Sequence, residues 1–432
     1  MNNYDLVVLG GGPGGYSAAF RAAELGKKTA IIDDNNLGGV CLNWGCIPTK
    51  SLLKNAEVMD LINSSSDYGI SVKDIQVNFD FIVQRSIKAR ERLSKGIHYL
   101  VKKNQVDFYS GFGKFIDNKI VDINGAQISA QNFIIATGSS PKSLSNINSN
   151  SDKIVYSKDI FSMDTLPTSL TIIGAGAIGA EFAYFFSSFG TKVTLIEAED
   201  RILPNEDKEI STWLEKAFKK RKINILTSTI AENIDDEKIL ISVGVEGNSS
   251  GFGLKNLGVE ITDNNHIKVD QDGKTNIDNI YAVGDVIGPP WLAHVATAEG
   301  IYVAELLCDS SPIKIDYNSI PNCTYCKPEV ASIGLTEESL LEQSINFKKA
   351  HSFFNSNGKA VAVGSTDGFI KILVDDSNHI LGAHIIGSNA TEMISEISVI
   401  KSNNLTIDNV LSSVHPHPTF SEAIFETLLQ LK

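Results

Sequence analysis

The sequence LVVLGGGPGGYSAA at residues 6–19 decides the fold of this chain. An apolar strand runs into a glycine-rich turn, an alanine-rich helix follows, and a second strand over residues 29–32 ends at Asp33. This order predicts a βαβ unit of about thirty residues. Its glycines permit a tight turn and let a pyrophosphate approach the N-terminus of the helix, while the acid about twenty positions on can hold a ribose hydroxyl. The loop glycines of this motif are Gly10, Gly12 and Gly15.

The same design recurs in the middle of the chain. The sequence LTIIGAGAIG at residues 170–179 leads into a helix, and the next strand, residues 192–196, ends at Glu197. One such loop alone could be a simple glycine-rich turn, but two copies with the same flanking pattern predict two bound dinucleotides. Further acids follow Glu197 before Arg201 and would repel a 2′-phosphate, which favours NAD over NADP. The glycines of this loop are Gly174, Gly176 and Gly179.

The composition bounds the function classes. The 432 residues are 42% hydrophobic and 21% charged, which fits two to four packed units and excludes disorder. The net charge of −13 comes without a dense Lys/Arg block, so neither nucleic acid nor a membrane surface is the expected main partner. No apolar run is long enough to span a bilayer.

The cysteine content and the N-terminus bear on location. Five cysteines are too few for a secreted disulfide scaffold and fit a reduced compartment. The first strand begins near the N-terminus, which leaves no room for a signal or transit peptide. We therefore expect a bacterial cytoplasmic protein, although a processed organellar form would look the same.

Between and after the glycine loops, hydrophobic patterns predict further elements. We expect a helix over 81–103, a Ser/Asn-rich linker over 143–152, an amphipathic helix over 208–220, and strands over 223–227 and 238–243. The last hundred residues alternate strands with helices, which is typical of a mixed α+β domain.

Two cysteines in the sequence CLNWGCIPTK, residues 41–50, are candidates for redox chemistry. In a regular helix, residues five apart have Cα atoms about 8 Å apart, beyond the usual span of a disulfide. A bond between Cys41 and Cys46 must therefore distort the chain and would be easily reduced, as a redox-active bond should be. A helix beginning near Pro48 would stabilise a thiolate at Cys46. The alternative is two unrelated buried thiols.

A second pair, Cys323 and Cys326, has a spacing seen in zinc sites. A tetrahedral site needs two more ligands at suitable spacing, and the sequence offers no second pair. We therefore interpret both cysteines as strand residues and predict no metal site.

The sequence HPHPTFSEA at residues 415–423 contains a candidate base. Its prolines hold both histidines on a stiff, non-helical segment. Thr419 and Glu422 have the spacing of a helix capping box, but Glu422 is also the nearest carboxylate that could orient His417. Both interpretations can hold in part.

Two further charged residues stand near the motifs. Lys50 follows the first cysteine pair by one helical turn, and Glu181 opens the helix after the second glycine loop. Either could be simple surface charge. If the two dinucleotides meet head to head, Lys50 and Glu181 would face each other near the flavin and nicotinamide rings.

With both glycine loops, CLNWGCIPTK, the YAVGD strand at 281–285 and HPHPTFSEA, nearly the whole chain resembles the dihydrolipoamide dehydrogenase family, class I of the pyridine nucleotide-disulfide oxidoreductases. The resemblance implies an α/β fold with two Rossmann-like domains, for FAD and NAD, and a C-terminal α+β dimerisation domain. The implied divisions are 1–141 for FAD, 142–249 for NAD, 250–315 for the second part of the FAD-binding region and 316–432 for the interface domain.

The resemblance also implies which residues bind the cofactors. FAD would be bound by Gly10, Gly12, Gly15, Asp33, Lys50, Gly113, Thr137, Gly138, Ser139, Asp285, Leu292, Ala293 and His294. NAD would be bound by Gly174, Gly176, Gly179, Glu197 and Gly244.

The implied activity is NAD-dependent oxidation of dihydrolipoamide through a Cys41–Cys46 disulfide. His417, oriented by Glu422, would act as base on the disulfide of the other subunit of a homodimer. The implied partners are the lipoyl domain and the acyltransferase core of 2-oxo acid dehydrogenase complexes. Two alternatives stay open at this point. One is a glutathione-reductase-like enzyme, and the other is an FAD-binding docking or scaffold protein with a degraded NAD domain.

The chain departs from the family in its NAD-binding region. Relatives usually have an antiparallel meander between the strands predicted at 223–227 and 238–243, where this chain has about ten polar residues. The usual GRRPN-like segment reads GVEGN at 244–248. We expect a shortened NAD-binding domain that still binds NAD, because the glycine loop and Glu197 are intact.

Overall fold

The chain folds into two units, each assembled from three separate stretches of sequence. A computed structural model describes residues 1–34, 37–144, 151–232 and 234–432. The first unit comprises Met1–Ser51, Asp80–Ser143 and Gly244–Ile315, and the second comprises Leu52–Phe79, Leu144–Val243 and Asp316–Lys432. The linker predicted at 143–152 lies mainly outside the described residues, since 145–150 are not among them.

The strands and helices of the described residues have the following bounds. The strands are β1 (Asn2–Leu9), β2 (Thr29–Asp33), β3 (Asp107–Ser110), β4 (Gly113–Asp117), β5 (Ile120–Ile123), β6 (Ala126–Ile135), β7 (Ser139–Pro141), β8 (Ile154–Val155), β9 (Ser169–Ile173), β10 (Lys192–Ile196), β11 (Asn224–Leu226), β12 (Lys238–Ile241), β13 (Val245–Gly247), β14 (Ile280–Ala282), β15 (Pro321–Thr324), β16 (Val330–Gly334), β17 (Lys348–Phe353), β18 (Phe369–Val374) and β19 (Ile380–Ile386). The helices are α1 (Pro13–Glu24), α2 (Gly39–Asn43), α3 (Cys46–Asn63), α4 (Phe79–Lys103), α5 (Ala177–Ser188), α6 (Lys208–Lys220), α7 (Leu254–Leu257), α8 (Ala293–Leu307), α9 (Glu337–Glu342), α10 (Gly358–Ala362), α11 (Ala390–Ser402), α12 (Ile407–Leu411) and α13 (Glu422–Leu429).

The first unit is organised around a sheet with strand order β3-β2-β1-β6-β5-β4, and β14 also pairs with β6. The strands β3, β2, β1, β6 and β14 run parallel, whereas β5 and β4 pair antiparallel. Val7 and Val8 on β1 are completely buried, as expected for a parallel strand covered on both faces. The carboxyl ends of β1, β2 and β6 therefore meet at one edge, where the first glycine loop lies.

Helices α1 and α8 pack closely against each other because both carry glycine at the contact. A Cβ on Gly300 of α8 would lie 2.2 Å from the carbonyl oxygen of Gly14 on α1. Helix α1 begins at Pro13, whose missing N–H costs nothing in the first turn. This contact brings the N-terminal residues of α8, among them Ala296, against α1.

The second unit contains two sheets. One is entirely parallel, with the order β11-β10-β9-β12-β8, and carries the second glycine loop between β9 and α5. No strand lies among the described residues of 227–237, so β12 pairs directly with β9 after a short connection. The antiparallel meander expected to be missing is thus not found in the part of that segment that the structure describes.

The other sheet of the second unit is antiparallel, with the order β15-β16-β19-β18-β17. Its apolar side packs on α11, α12 and α13, and Ile397 and Leu428 of these helices are completely buried. This is the mixed α+β arrangement that the sequence predicts for the last hundred residues.

Most predicted elements agree with the structure within a few residues. Helix α6 has the predicted bounds, α4 begins two residues earlier than predicted, and β12 ends two residues earlier. Ends of elements are the least certain part of any prediction from sequence, because local pattern does not define where hydrogen bonding stops. Among the described residues, no helix has the length and hydropathy needed to cross a membrane.

Candidate active site

The first glycine loop has a geometry that only glycine permits. Gly10 has a φ of +104°, and a Cβ there would lie 2.2 Å from the carbonyl oxygen of Ala136. A Cβ on Gly15 would lie 1.9 Å from the carbonyl oxygen of Gly10. The Asp33 carboxylate accepts a hydrogen bond of 2.5 Å from the Gly11 N–H, which ties the end of β2 to the loop. The N-cap Gly12 offers no side chain to the first amides of α1, which leaves them to an anionic group such as pyrophosphate.

Several other predicted FAD residues lie in the same unit. Ser139 donates a hydrogen bond of 2.8 Å from its Oγ to the Asp285 carboxylate, joining the segment after β6 to the segment after β14. Burial raises the pKa of Asp285. An ionised carboxylate accepts several hydrogen bonds, so Asp285 can also accept from the hydroxyls of a bound ligand.

The remaining predicted FAD residues lie around this loop. Leu292 precedes the first turn of α8, which holds Ala293 and His294, and α8 packs on α1. Gly113 opens β4, and a Cβ there would lie 3.2 Å from the Ile32 side chain, next to the acid of the loop. The segment Thr137 to Ser139 follows β6, and Thr137 donates from its Oγ1 to the Asn248 carbonyl oxygen over 2.6 Å. The closely packed glycines and the partly buried Asp285 fit a dinucleotide such as FAD.

The cysteine pair lies where the chain leaves one helix and enters another. Cys41 is in α2, Cys46 is the first residue of α3, and between them Trp44 has a φ of −154°. A Cβ on Gly45 would lie 2.8 Å from the carbonyl oxygen of Val40, so this bend also needs glycine. The predicted distortion of the chain between the two cysteines is therefore present.

The side chains of Cys41 and Cys46 contact each other. The hydrogen bond with Cys46 and then burial raise the pKa of Cys41, while Lys50 acts in the opposite direction. Burial and the two cysteines also raise the pKa of Tyr16, which lies on α1 directly after the glycine loop. The pair therefore lies beside the first dinucleotide site.

His417 and Glu422 form an exposed pair in the second unit. The Nδ1 atom of His417 lies 2.9 Å from Oε1 of Glu422, and Oε2 accepts a hydrogen bond of 2.8 Å from the Thr419 N–H. The Thr419 N–H and then His417 hold the pKa of Glu422 below its ordinary value. An ionised carboxylate can only accept, so Nδ1 carries the proton and Nε2 is left as the basic nitrogen.

The capping-box interpretation of Glu422 is correct only in its first half. The backbone bond from Thr419 is present, but the Thr419 hydroxyl donates to the Pro416 carbonyl oxygen, and Thr419 is not the N-cap of the helix. Helix α13 begins at Glu422 with Ser421 as its N-cap. Glu422 therefore orients His417 and closes the turn before the helix.

The neighbouring His415 has a different partner. Its Nε2 lies 2.7 Å from Oε1 of Glu396 on α11, and its side chain is only 10% exposed. The His417 side chain is 76% exposed. His417 is therefore the histidine that an incoming substrate can reach in this chain.

The second glycine loop repeats the geometry of the first. Gly174 has a φ of +94°, and a Cβ on Gly179 would lie 2.0 Å from the Gly174 carbonyl oxygen. The buried Glu197 accepts 2.6 Å and 3.1 Å hydrogen bonds from the N–H groups of Ala175 and Glu199. A Cβ on Gly176 would meet nothing within 4 Å, which leaves open space at the helix N-terminus for a pyrophosphate.

The surroundings of Glu197 disfavour a 2′-phosphate. Arg201, the nearest following cation, lies 3.8 Å from Asp200 and 4.0 Å from Glu338, both carboxylates. Its charge is therefore already partly compensated. The predicted NAD residue Gly244 has a φ of +97° and belongs to the first unit, whereas the loop and Glu197 belong to the second.

Glu181 and Lys50 belong to different units. Glu181 on α5 is only 4% exposed, and its Oε1 accepts a hydrogen bond of 3.0 Å from the Tyr325 N–H. The interpretation of Glu181 as surface charge is therefore wrong, because packing of α5 against the segment after β15 covers it. Lys50 is partly buried in the first turns of α3, and its approach to Glu181 stays a prediction.

The interpretation of both Cys323 and Cys326 as strand residues needs correction. Cys323 is on β15, but Cys326 lies in the turn after it, completely covered, with its thiol 3.3 Å from the Pro328 carbonyl oxygen. Burial raises the pKa of the Cys326 thiol. The local apolar pattern predicted a strand through Cys326, but the chain bends there and passes Pro328 before it enters β16.

Two residues near the first site carry no signal in the sequence. Tyr16 borders the cysteine pair, and only its place after the glycine loop could have indicated this. His266 is buried with its ring 6.0 Å from the Trp291 ring, and its Nε2 has no partner among the described residues. Burial and Lys142 lower the pKa of His266, while Asp285 acts in the opposite direction. Neither contact can be inferred from spacing along the chain.

Comparisons with known proteins agree with this geometry. The family described as "Pyridine nucleotide-disulphide oxidoreductase" matches residues 4–300, and its dimerisation domain matches residues 320–428. Dihydrolipoyl dehydrogenase of Zymomonas mobilis is 40% identical, covering 99% of this chain and 98% of the relative. Dihydrolipoyl dehydrogenase of Bacillus subtilis is 39% identical over 99% of this chain and 97% of the relative.

Solved structures share the fold. LpdA from Mycobacterium tuberculosis matches with a TM-score of 0.93 at 24% identity, covering all of both chains. The HOCl-induced flavoprotein disulfide reductase RclA from Escherichia coli matches with a TM-score of 0.89 at 24% identity, covering 99% of this chain and all of that one. The predicted fold class, the resemblance and an enzyme that uses FAD and NAD are confirmed by the family match. The chain belongs to the pyridine nucleotide-disulphide oxidoreductase family.

Proposed function

We propose that this protein is a dihydrolipoamide dehydrogenase, which oxidises protein-bound dihydrolipoamide to lipoamide and reduces NAD⁺. The observation that carries the proposal is the contacting pair Cys41 and Cys46 beside the first dinucleotide loop. The oriented His417 supplies the base that thiol chemistry requires. Curated relatives with this name, at about 40% identity over nearly the whole chain, support the same activity.

The cysteine pair exchanges its disulfide with the substrate. One sulfur of dihydrolipoamide attacks Cys41, the Cys41–Cys46 bond breaks, and Cys46 leaves as a thiolate. The second substrate sulfur then attacks the first, which closes the lipoamide disulfide and releases Cys41. The pair ends as the dithiol. Cys46, at the first residue of α3, has the helix N-terminus to stabilise its negative charge.

His417 moves the protons of this exchange. Glu422 holds Nδ1, so Nε2 is available to accept a proton from the attacking substrate thiol. The ionised Glu422 stabilises the imidazolium that forms. We infer that this pair acts on the cysteines of the other subunit in a homodimer, which the dimerisation domain at residues 320–428 supports.

The two dinucleotide sites serve the electron transfer. When bound, FAD and NAD⁺ would supply the two-electron redox chemistry that takes up the electron pair of the dithiol. Gly10, Gly15 and Asp33 shape the FAD loop, while Gly179 and Glu197 shape the NAD loop. We propose that Lys50 and Glu181 line the region where the flavin and nicotinamide rings meet, and that Gly244 contributes to the NAD site.

The broader setting follows from the same proposal. The expected partners are a lipoyl domain and the acyltransferase core of a 2-oxo acid dehydrogenase complex. We retain the division into 1–141, 142–249, 250–315 and 316–432, with a shortened NAD-binding region. The alignment with the Zymomonas relative is longer than this chain, so that relative has residues that this chain lacks. A cytoplasmic location stays part of the proposal, supported by the low cysteine content.

The alternatives are weaker. A glutathione-reductase-like enzyme is not favoured, since the curated relatives are dihydrolipoyl dehydrogenases and Arg201, the first cation after Glu197, lies beside two carboxylates. A scaffold protein with a degraded NAD domain is disfavoured because the second glycine loop keeps its full geometry.

A visible spectrum of the purified protein before and after addition of dihydrolipoamide tests the proposal. We expect flavin absorption, and after reduction a long-wavelength band from the Cys46 thiolate beside the flavin, followed by NADH formation when NAD⁺ is added. Cys46→Ser should abolish both the band and the turnover. Turnover of glutathione disulfide with NADPH in preference to lipoamide with NADH would contradict the assignment.

A further inference from the structure

Helix α4 presents a stripe of cations to solvent. Counted from Phe81, positions spaced alternately by four and three residues share one face of an α-helix. The residues at these positions, all exposed, are Phe81, Arg85, Lys88, Arg92, Lys95, Tyr99 and Lys102. We call this set the α4 stripe, and its length is about 30 Å.

The charge of the helix contrasts with that of the chain. Helix α4 contains seven Lys or Arg residues and two carboxylates, whereas the whole chain has a net charge of −13. Among the described residues, none of the five cations of the stripe forms an ion pair. Unpaired cations aligned on one face create a local positive potential that attracts acidic surfaces. The sequence shows no dense Lys/Arg block because helical spacing separates these residues by two or three others.

The stripe begins next to the redox pair. The Arg85 guanidinium donates a 2.9 Å hydrogen bond to Oγ of Ser51 and a 3.3 Å bond to its carbonyl oxygen. Ser51 lies on α3, the helix that Cys46 begins. A molecule bound along the stripe would therefore have one end within two helical turns of the reactive cysteine.

Apolar residues lie at both ends of the stripe. Phe81 is 62% exposed and Tyr99 is 64% exposed, and Leu93 beside the stripe is 45% exposed. Aromatic residues and arginine are enriched at protein interfaces relative to the rest of the surface. The composition thus favours a folded protein partner over a flexible polyanion.

We propose that the α4 stripe is the docking surface for an acidic carrier domain that brings the dithiol substrate to Cys41 and Cys46. The inference rests on the proposed function, because it assumes that the substrate is a dihydrolipoyl group attached to a protein domain. Charge complementarity steers the domain to the stripe, and the proximity of Ser51 to Cys46 leaves only a short distance for the substrate arm. The stripe raises the association rate and not the rate of the chemical step.

The test compares two substrates with one triple variant. Lys88→Glu/Arg92→Glu/Lys95→Glu reverses the middle of the stripe and leaves every proposed catalytic or cofactor-binding residue in place. With a dihydrolipoylated, negatively charged lipoyl domain at low salt, we expect kcat/KM to fall about tenfold or more, since steering contributes about 10- to 1,000-fold to association. With free dihydrolipoamide, kcat/KM should stay within about twofold of wild type, because a small neutral substrate is not steered.

A charge-matched control shows whether a loss of activity comes from the stripe itself or from the change in net charge. Lys114→Glu/Lys119→Glu/Lys255→Glu reverses three exposed lysines elsewhere in the first unit, none of them ion-paired among the described residues. This control should keep wild-type kcat/KM with the lipoyl domain. The deficit of the stripe variant should also shrink as salt rises towards about 1 M, where charges are screened within about 3 Å. If the reversal variant does not fold, Lys88→Gln/Arg92→Gln/Lys95→Gln serves with the same assay.

Several outcomes would overturn the inference. One is an unchanged kcat/KM of the stripe variant on the lipoyl domain, and another is an equal loss in the control variant. A third is that the stripe variant loses affinity only for a DNA duplex or for phosphatidylserine vesicles while its activity on the domain is retained. Failure of the wild type to oxidise free dihydrolipoamide would instead refute the proposed function. In that case, measuring the affinity of the lipoyl domain for the stripe variant and for the control variant would still test the docking surface.

Discussion

Chemically similar side chains that lie close together in the sequence have different partners in this protein. His417 and His415 are two residues apart, yet His417 pairs with Glu422 and stays exposed, whereas His415 pairs with Glu396 and is nearly covered. The two pairs have the same chemistry and different access to solvent. They therefore allow a matched comparison of a catalytic and a structural His–Glu pair.

Removing the charge of Glu422 should slow thiol oxidation. In Glu422→Gln, the amide stabilises an imidazolium at His417 less well, so we expect kcat/KM for dihydrolipoamide to fall about 10- to 100-fold, within the range that general-base catalysis provides. Glu396→Gln changes the partner of His415 and should keep kcat/KM near wild type. Steady-state assays and flavin content of both variants check this, and equal losses in both would contradict the assignment.

Lys371 is the most deeply buried cation of the second unit's antiparallel sheet. Its side chain is 1% exposed, and its Nζ lies 2.9 Å from Asp207, 2.9 Å from Glu209 and 2.6 Å from Glu337. Burial alone would raise the pKa of Asp207, but His384 and Lys371 hold it below its ordinary value. One lysine thus compensates several carboxylates where α6 meets the sheet.

Removing this lysine should destabilise the protein strongly. Lys371→Met leaves buried carboxylates without a cation, which costs about 3–5 kcal/mol in comparable cases. Lys349→Met removes a partner of Glu337 that is 43% exposed, and this control should cost less than about 1 kcal/mol. Urea unfolding followed by circular dichroism measures both. A loss in Lys371→Met no larger than in the control would contradict the prediction.

The ion pairs of Lys371 with Asp207, Glu209 and Glu337 also predict that the stability of the protein depends on pH in the acid range. The pKa of Asp207 is lower in the folded chain than its ordinary value of about 4. The ionised Asp207 therefore stabilises the folded state above that value, and this stabilisation is lost as pH falls through the folded pKa. The free energy of unfolding of the wild type should therefore decline below about pH 4, and the decline should be smaller in Asp207→Asn. Unfolding curves collected from pH 7 to pH 3 test this.

At the scale of elements, the two βαβ units are built alike but serve different sheets. In each, the last glycine of the loop lets the helix pack on the strand, and the acid after the second strand accepts a hydrogen bond from the loop. The sheet β11-β10-β9-β12-β8, which carries the second glycine loop, is entirely parallel although β12 follows β11 after a short connection. The loop geometry therefore does not depend on a meander.

Two glycines of the second loop should respond differently to alanine. Gly179→Ala places a Cβ 2.0 Å from the Gly174 carbonyl oxygen, which forces α5 away from β9 and should lower both stability and NADH affinity. Gly176→Ala meets no atom within 4 Å, so stability should stay within about 0.5 kcal/mol of wild type while NADH binding weakens. Thermal unfolding and NADH titration separate the two effects. Tight NADH binding by Gly179→Ala would show that the helix can adjust.

At the scale of the whole molecule, the proposed catalytic residues belong to two different units. Cys41 and Cys46 belong to the first unit and His417 and Glu422 to the second, and the chain carries a dimerisation domain. The expectation is that the base of one subunit serves the cysteines of the other. Symmetric dimers make such sharing possible because each interface contributes the same two halves twice.

Subunit complementation tests this sharing. Cys46→Ser and His417→Gln homodimers should each be nearly inactive. Random co-assembly of the two variants yields half heterodimers with one complete site each, so activity should recover to about one quarter of wild type. Sedimentation of the mixture checks that dimers form. No recovery in properly formed heterodimers would place base and cysteines in the same chain.

Most features that could be predicted from the sequence depend on interactions between residues that are close together in the chain. Both glycine loops, their terminal acids, the bend between Cys41 and Cys46, and the helix bounds of α4 and α6 depend on backbone conformation and hydrogen bonds within about thirty residues. Such short-range constraints are encoded directly by residue type and spacing. For this reason the fold class and the two βαβ units with their glycine loops could be predicted without coordinates.

Contacts between distant residues were decided only by the tertiary structure. Glu181 is buried because Tyr325, 144 positions away, covers it, and Cys326 leaves the strand because the chain turns at Pro328. The separate partners of His415 and His417 and the exposure of the α4 stripe likewise depend on which surfaces pack together. Burial is a property of the assembled elements, so residue spacing alone does not determine it.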